Sequence, residues 1–178
     1  TPPTPSPTPS PTPSPTPSTP SAVQSAYKFG SNNLRFGDAF DSLELDGRLK
    51  QPFYWNGAGW RKLTYSMNSL DFVMKAGGSA NIHTSGSELD LSGAATVDDS
   101  GLTDGIGTLI VSQSVDFEGA TVHVTREYTI TDISSNTATM TVRVRADGGS
   151  VANVRVWMGT GDDYVGGTDG PTKEIGDF

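Results

Sequence analysis

Hydroxyl side chains alternate with proline in the first 21 residues of this 178-residue chain. From Pro3 to Pro17 proline occupies every odd position, and serine or threonine occupies each even position between them. Sequence rich in serine and threonine with proline is typical of O-glycosylated stalks, in which hydroxyl oxygens carry covalent glycans. The alternative is a bare, semi-rigid linker. We predict O-glycosylation at the eight hydroxyls of the repeat: Thr4, Ser6, Thr8, Ser10, Thr12, Ser14, Thr16 and Ser18.

Aromatic residues between positions 53 and 65 form the second group that could bind a ligand. Trp55 and Trp60 flank the sequence Asn-Gly-Ala-Gly, and Asn-Gly between aromatic flanks predicts a β-hairpin. Aromatic faces at such a hairpin could stack on sugar rings, so we predict Trp55, Trp60 and Tyr54 as sugar-stacking residues. The alternative is that these aromatic side chains fold inward and cap the core.

Two acidic stretches have the composition of calcium-binding loops. Asp98 and Asp99 precede Asp104 in the first, and the second contains Asp162, Asp163 and Asp169. Calcium requires several oxygen ligands, which carboxylates and glycine-freed carbonyls could supply. Neither stretch has the EF-hand spacing, and aspartate is common in solvated turns. We therefore predict no metal site, with the second stretch as the alternative.

The sequence gives little support for catalysis. His83 and His123 lie far apart, and His123 falls among threonines on the polar side of a predicted strand. The sequence contains no Gly-x-Ser-x-Gly elbow, no His-Glu-x-x-His pair and no phosphate-binding loop. We therefore predict a protein that is not an enzyme and has no cofactor.

The proline repeat also determines the structure predicted for its own segment. Every second residue lacks a backbone N–H donor, which excludes an α-helix and a central β-strand. Polyproline II remains, with three residues per turn and a rise of ~3.1 Å, so 21 residues could span roughly 60 Å. We predict two units: a polyproline II rod over 1–21 and a folded domain over 22–178.

Apolar and polar residues alternate through the second half of the folded domain. Val122, Val124, Tyr128 and Ile130 share one parity, opposite threonine, histidine and glutamate. Similar alternation over 109–117, 138–146 and 154–158 predicts a four-stranded antiparallel meander. We expect 98–107 to be a loop, because it is rich in glycine, aspartate and serine. No stretch has an apolar period of 3.6 residues, so we predict an all-β antiparallel sandwich of immunoglobulin-like or jelly-roll type.

Composition and charge limit the classes of molecule that the protein could bind. The net charge of −8 at pH 7 belongs entirely to the folded part, and it argues against nucleic acid and anionic membranes as partners. No apolar run approaches the ~20 residues of a membrane helix, so we expect no membrane insertion. There is no cysteine and no Asn-x-Ser/Thr sequon, so any glycan is O-linked. The chain starts inside a repeat, which suggests a mature or partial chain.

The repeat TPSPTPSPTPSPTPS resembles the rods of hydroxyproline-rich extracellular glycoproteins of algal cell walls and flagellar hairs. It is also similar to the linkers of secreted polysaccharide-degrading enzymes. The segment VWMGTGDDYVGGTDGPTKEIGDF is similar to segments of large secreted microbial surface proteins. The first resemblance implies hydroxylated proline, arabinose- or galactose-type glycans and a fibrous assembly.

Two main functional hypotheses follow. The first is a structural subunit of an extracellular filament or surface appendage, in which the sandwich self-assembles and the rod carries sugars. The second is a carbohydrate-binding module with its linker, from a larger secreted enzyme. A calcium-dependent adhesin is a weaker third. We expect an extracellular or cell-surface location for each.

Overall fold

A computed structural model describes residues 26–37, 41–64, 68–79 and 85–160. These residues form antiparallel β-strands and no helix, which confirms the all-β prediction. Ten strands are present in the described ranges. They are β1 (Leu34–Phe36), β2 (Pro52–Trp55), β3 (Trp60–Lys62), β4 (Asp71–Ala76), β5 (Ser87–Glu88), β6 (Thr96–Thr103), β7 (Ile106–Phe117), β8 (Ala120–Ile130), β9 (Thr139–Asp147) and β10 (Arg155–Gly159).

The largest sheet has the strand order β6-β7-β8-β9, so strands that are adjacent in the sheet are also consecutive in the sequence. Burial alternates strictly along β8, with every second residue from Ala120 to Ile130 buried. We call this buried side the inner face and the opposite side the outer face. Glu118 and Gly119 connect β7 to β8 with φ of 49° and 84°. Positive φ at both central residues is the two-residue turn that matches the twist of a hairpin.

Two three-stranded sheets complete the structure, β1-β2-β3 and β10-β4-β5. Each contributes residues to a hydrophobic cluster that includes the inner face of the large sheet. The first cluster consists of Phe29, Phe36, Leu43, Leu49, Leu109, Val111, Tyr128 and Ile130. The second consists of Phe72, Met74, Ala76, Leu89, Val122 and Val124. The apolar alternation read from the sequence therefore identifies the buried side of β7 and β8, whereas Val144, Val154 and Val156, which were expected to face inward, are exposed.

Two sequence-based assignments were wrong. Residues 98–103 belong to β6, an edge strand with a register shift between Asp98 and Gly101, and only Asp104 and Gly105 form the turn. β10 pairs with β4 and not with β9, so the fourth strand of the large sheet is β6. A β-bulge accommodates the extra residues of this glycine- and aspartate-rich strand without ending it.

Residues 42–46 do not form a strand, although Leu43 and Leu45 alternate with polar residues in the sequence. Leu43 and Leu49 make an isolated bridge around a tight turn, and Leu45 is 60% exposed. Gly47 closes the turn with φ of +76°. The turn places the backbone carbonyls of Asp46 and Gly47 at the inner face of β8. There they accept hydrogen bonds from Arg126 and Tyr128.

Candidate functional site

A buried arginine occupies the middle of the inner face. Arg126 is 1% exposed and lies between Val124 and Tyr128 on the buried parity of β8. Its Nη2 donates to the Asp46 carbonyl oxygen at 2.6 Å and to Gln113 Oε1 at 2.5 Å. The guanidinium carbon lies 4.7 Å from the centre of the Phe72 ring, a cation–π distance.

The charge of Arg126 has no carboxylate partner within ion-pair distance among the described residues. Its Nε is buried and donates no hydrogen bond there. Burial lowers the pKa of the Arg126 guanidinium, and the nearby Tyr128 and Asp46 act against this shift. Arginine stays protonated in proteins, so the inner face holds a positive charge whose hydrogen bonds are only partly satisfied.

This guanidinium lines an open cavity of about 260 Å³. Further lining residues come from the turn that contains Asp46 and Arg48, from β4, and from β5 with the segment that follows it. The charged members are Asp46, Arg48, Asp71, Glu88, Asp90 and Arg126. Arg48 bridges Asp46 at 2.7 Å and Asp71 at 3.5 Å. The cavity therefore presents carboxylate acceptors and guanidinium donors together, which is a hydrogen-bonding surface for a polar ligand.

The aromatic hairpin forms where it was predicted. Asn56 Oδ1 accepts hydrogen bonds from the backbone N–H groups of Ala58 and Gly59, both at 3.0 Å, which fixes the loop. Trp55 pairs directly with Trp60, and their ring centres lie 5.7 Å apart at an interplanar angle of 69°. The two rings are therefore edge-to-face and not coplanar.

The three predicted sugar-stacking residues do not share one face. Tyr54 alternates with Trp55 along β2 and so points to the other side of the sheet. Trp55 is 42% exposed, whereas Arg35 lies over the Trp60 ring at 4.4 Å. Stacking on a sugar by this hairpin stays a prediction, and Trp55 is its most accessible ring.

The acidic residues of 98–104 are not gathered around a common point. Among the described residues no group of three or more histidine or acidic side chains is placed to hold a metal ion. Asp98 accepts hydrogen bonds from Ser100, which lower its pKa. The alternative calcium residues Asp162, Asp163 and Asp169 lie outside the described residues, as do His83 and the eight predicted glycosylation positions.

A serine, a histidine and an aspartate meet on the outer face of the large sheet. Ser114 Oγ lies 2.8 Å from His123 Nδ1, and His123 Nε2 lies 3.0 Å from Asp147 Oδ2. Cross-strand pairing of β7, β8 and β9 brings these three residues together, which sequence spacing could not reveal. The order of contacts is that of a nucleophile, a base and an orienting acid. The N–H groups of the central strand β8 are committed to its ladders on both sides, so they are not available as oxyanion donors.

The two edges of the large sheet carry opposite charge. Asp98 and Asp99 lie on the edge strand β6, and Arg143 and Arg145 lie on the edge strand β9. Register places Asp98 opposite Ile110 and Arg143 opposite Thr125, so both charges project from the outer face. The two arginine side chains are 66% and 69% exposed. In a chain of net charge −8, β9 therefore carries two exposed arginines, which pair with Glu127 and Asp147.

Comparison with protein-family models, with curated proteins and with solved structures finds no match. No helix long and apolar enough to cross a membrane occurs in the described ranges.

Proposed function

We propose that the protein is a structural subunit of an extracellular filament or surface appendage. In this proposal the folded domain is a β-sandwich of immunoglobulin-like or jelly-roll type, and residues 1–21 form an O-glycosylated polyproline II rod ahead of it. Copies of the domain assemble through sheet edges, and the rod carries the glycans. The observation that carries the proposal is the pair of oppositely charged edges on one sheet, joined in sequence to the Ser/Thr-Pro repeat.

The edges support assembly because their backbone groups are open to pairing. Among the described residues, β6 and β9 each have one neighbouring strand in the large sheet, so the N–H and C=O groups of their outer sides have no ladder partner there. Open edges are templates for another chain. Asp98 on one copy and Arg143 on the next would project from the same face of a joined sheet, so opposite charges would meet.

A joint between β6 and β9 uses two different surfaces, so it is a head-to-tail contact. Such contacts build open filaments when the rotation between copies does not close a ring. The arginines already pair with Glu127 and Asp147, but exposed ion pairs contribute little to stability and exchange easily. The bulge after Asp98 would restrict regular pairing to short segments of β6, so each joint is modest and the filament depends on many of them.

A joined sheet has a definite repeat. Four strands spaced by about 4.8 Å would give an axial repeat of about 19 Å per copy. Native material should therefore show filaments by electron microscopy, with a layer line near that spacing. Intact mass spectrometry should show sugar on residues 1–21.

Charge reversal tests the edge itself. Arg143→Glu with Arg145→Glu should abolish filaments, and adding Asp98→Lys with Asp99→Lys in the same chain should restore them. The matched control is Arg61→Glu with Lys62→Glu, which reverses two exposed charges on β3 of the separate β1-β2-β3 sheet and should leave filaments intact. Dispersed monomers of the native chain under all salt conditions would contradict the proposal.

A further inference from the structure

We propose that the cavity lined by Arg126 binds one saccharide unit through its hydroxyl groups. This site differs from the predicted aromatic hairpin and from the sheet edges, and it does not depend on filament assembly. It rests on a buried, incompletely bonded guanidinium beside carboxylates in one cavity.

Arg126 is the reason to regard the cavity as a binding site. A charged group that is 1% exposed, with a buried Nε that has no hydrogen-bond partner among the described residues, is costly to maintain. Hydrophobic residues of similar volume often replace buried charges without loss of stability, so packing alone does not require this arginine. Arg126 also lines the cavity, so a ligand oxygen there can accept a hydrogen bond from the edge of the guanidinium that faces it.

The charge balance of the cavity selects the ligand class. Its lining has four carboxylates and two guanidinium groups, which gives a net charge of 2 − 4 = −2. A simple anion is therefore repelled, although it would suit Arg126 alone. A neutral polyol suits both signs, because each hydroxyl donates to a carboxylate and accepts from a guanidinium.

Some of these groups are already committed, and the rest define the contacts. Asp46 and Asp71 hold Arg48, and Asp90 uses Oδ1 for Ser92. Glu88 and the second oxygen of Asp90 are left as acceptors for the ligand. Arg126 covers the Phe72 ring, so recognition here uses hydrogen bonds and not ring stacking. A volume of about 260 Å³ lies below that of drug-sized pockets, which fits a single ring.

The test is a titration of the full chain, uniformly labelled with ¹⁵N, with D-glucose, D-galactose, D-mannose and L-arabinose. We expect saturable shifts of the Arg126 Nε–H signal and of the Glu88–Ser92 amides for at least one sugar. The indole signals of Trp55 and Trp60 report the competing site in the same spectrum. Sodium acetate and sodium sulfate at equal ionic strength form the anion arm.

Two variants connect the shifts to the acceptors. Glu88→Gln and Asp90→Asn should each weaken binding about 3- to 10-fold, because the amide oxygen still accepts a hydrogen bond but without the charge that roughly doubles its strength. Asp98→Asn is the matched control, because Asp98 holds Ser100 as Asp90 holds Ser92, but outside the cavity. It should leave the affinity unchanged.

Three results would overturn the inference. The first is the absence of shifts at Arg126 and Glu88–Ser92 up to 100 mM of every sugar. The second is sugar-dependent shifts confined to the tryptophan indoles, and the third is a response of Arg126 to acetate or sulfate but to no sugar. Native filaments would survive each of these results, so the two proposals fail separately.

Discussion

Replacing Gly47 by alanine should destabilise the protein strongly, because Gly47 holds the turn that reaches Arg126. Its φ of +76° is a left-handed conformation, and a non-glycine residue there costs ~1–2 kcal/mol. An added Cβ would also overlap a Val111 methyl group and lie 2.9 Å from Arg126 Nη2. Overpacking of this kind costs ~1–3 kcal/mol. The two costs add to about 2–5 kcal/mol in the free energy of unfolding.

Gly57 provides the matched control. Its φ is +90°, but an added Cβ would have no atom within 4 Å. Gly57→Ala should therefore carry only the conformational cost of ~1–2 kcal/mol. Urea denaturation followed by far-ultraviolet circular dichroism measures both variants. Equal losses, within about 0.5 kcal/mol, would show that Gly47 is needed for its φ alone and that the packing around Arg126 yields freely.

Three further outcomes are expected. Hydrogen bonds from Ser134 lower the pKa of Asp132, so its stabilisation is present above the unfolded pKa and is lost as pH falls through the folded pKa. Below about pH 4, the urea midpoint should therefore decrease less steeply with falling pH in Asp132→Asn than in the native chain. Asn56→Ala removes two backbone contacts and should cost about 1 kcal/mol in urea denaturation. A fluorophosphonate probe should not label Ser114 in the native chain. If the probe labels Ser114 in the native chain but not in His123→Ala, the protein is instead a hydrolase.

Parity was the part of the fold that the sequence could predict. In β7 and β8 the apolar residues alternate with polar ones, and the buried face follows from this alternation without knowledge of the partner strands. The Asn56 and Glu118 turns were also readable, because each is a short polar sequence with glycine between alternating runs. These features depend only on residues close in sequence, so they are the same whichever way the sheets are arranged.

Which strands pair with each other could not be predicted from the sequence, because pairing depends on contacts between residues that are distant in the chain. β10 alternates as a fourth meander strand would, yet Val156 and Met158 lie opposite Met74 and Phe72 of β4. β6 resembled a loop because its aspartates and glycine are poor strand formers, but pairing with β7 overrides that weak preference.

The sequence already marks Arg126 as unusual, although the alternation of apolar residues in β8 did not lead to a prediction about it. It occupies an inner position between Val124 and Tyr128, where an apolar residue was expected. A charged residue on the buried parity of a strand requires an internal partner or a function. Its partners, Asp46 and Gln113, lie 80 and 13 residues away, so the sequence could flag the position but not the cavity.

The location of Arg126 also determines how the two proposals relate. The cavity lies over the inner face, whereas the charged edges of β6 and β9 project from the outer face of the same sheet. A ligand in the cavity would therefore leave both edges open, and a joined sheet would leave the cavity open. If the rods carry O-glycans, each copy in a filament could hold a sugar of a neighbour without disturbing the joints. Saturating sugar should then leave filament length unchanged, and shortening of the filaments by sugar would show that the two surfaces compete.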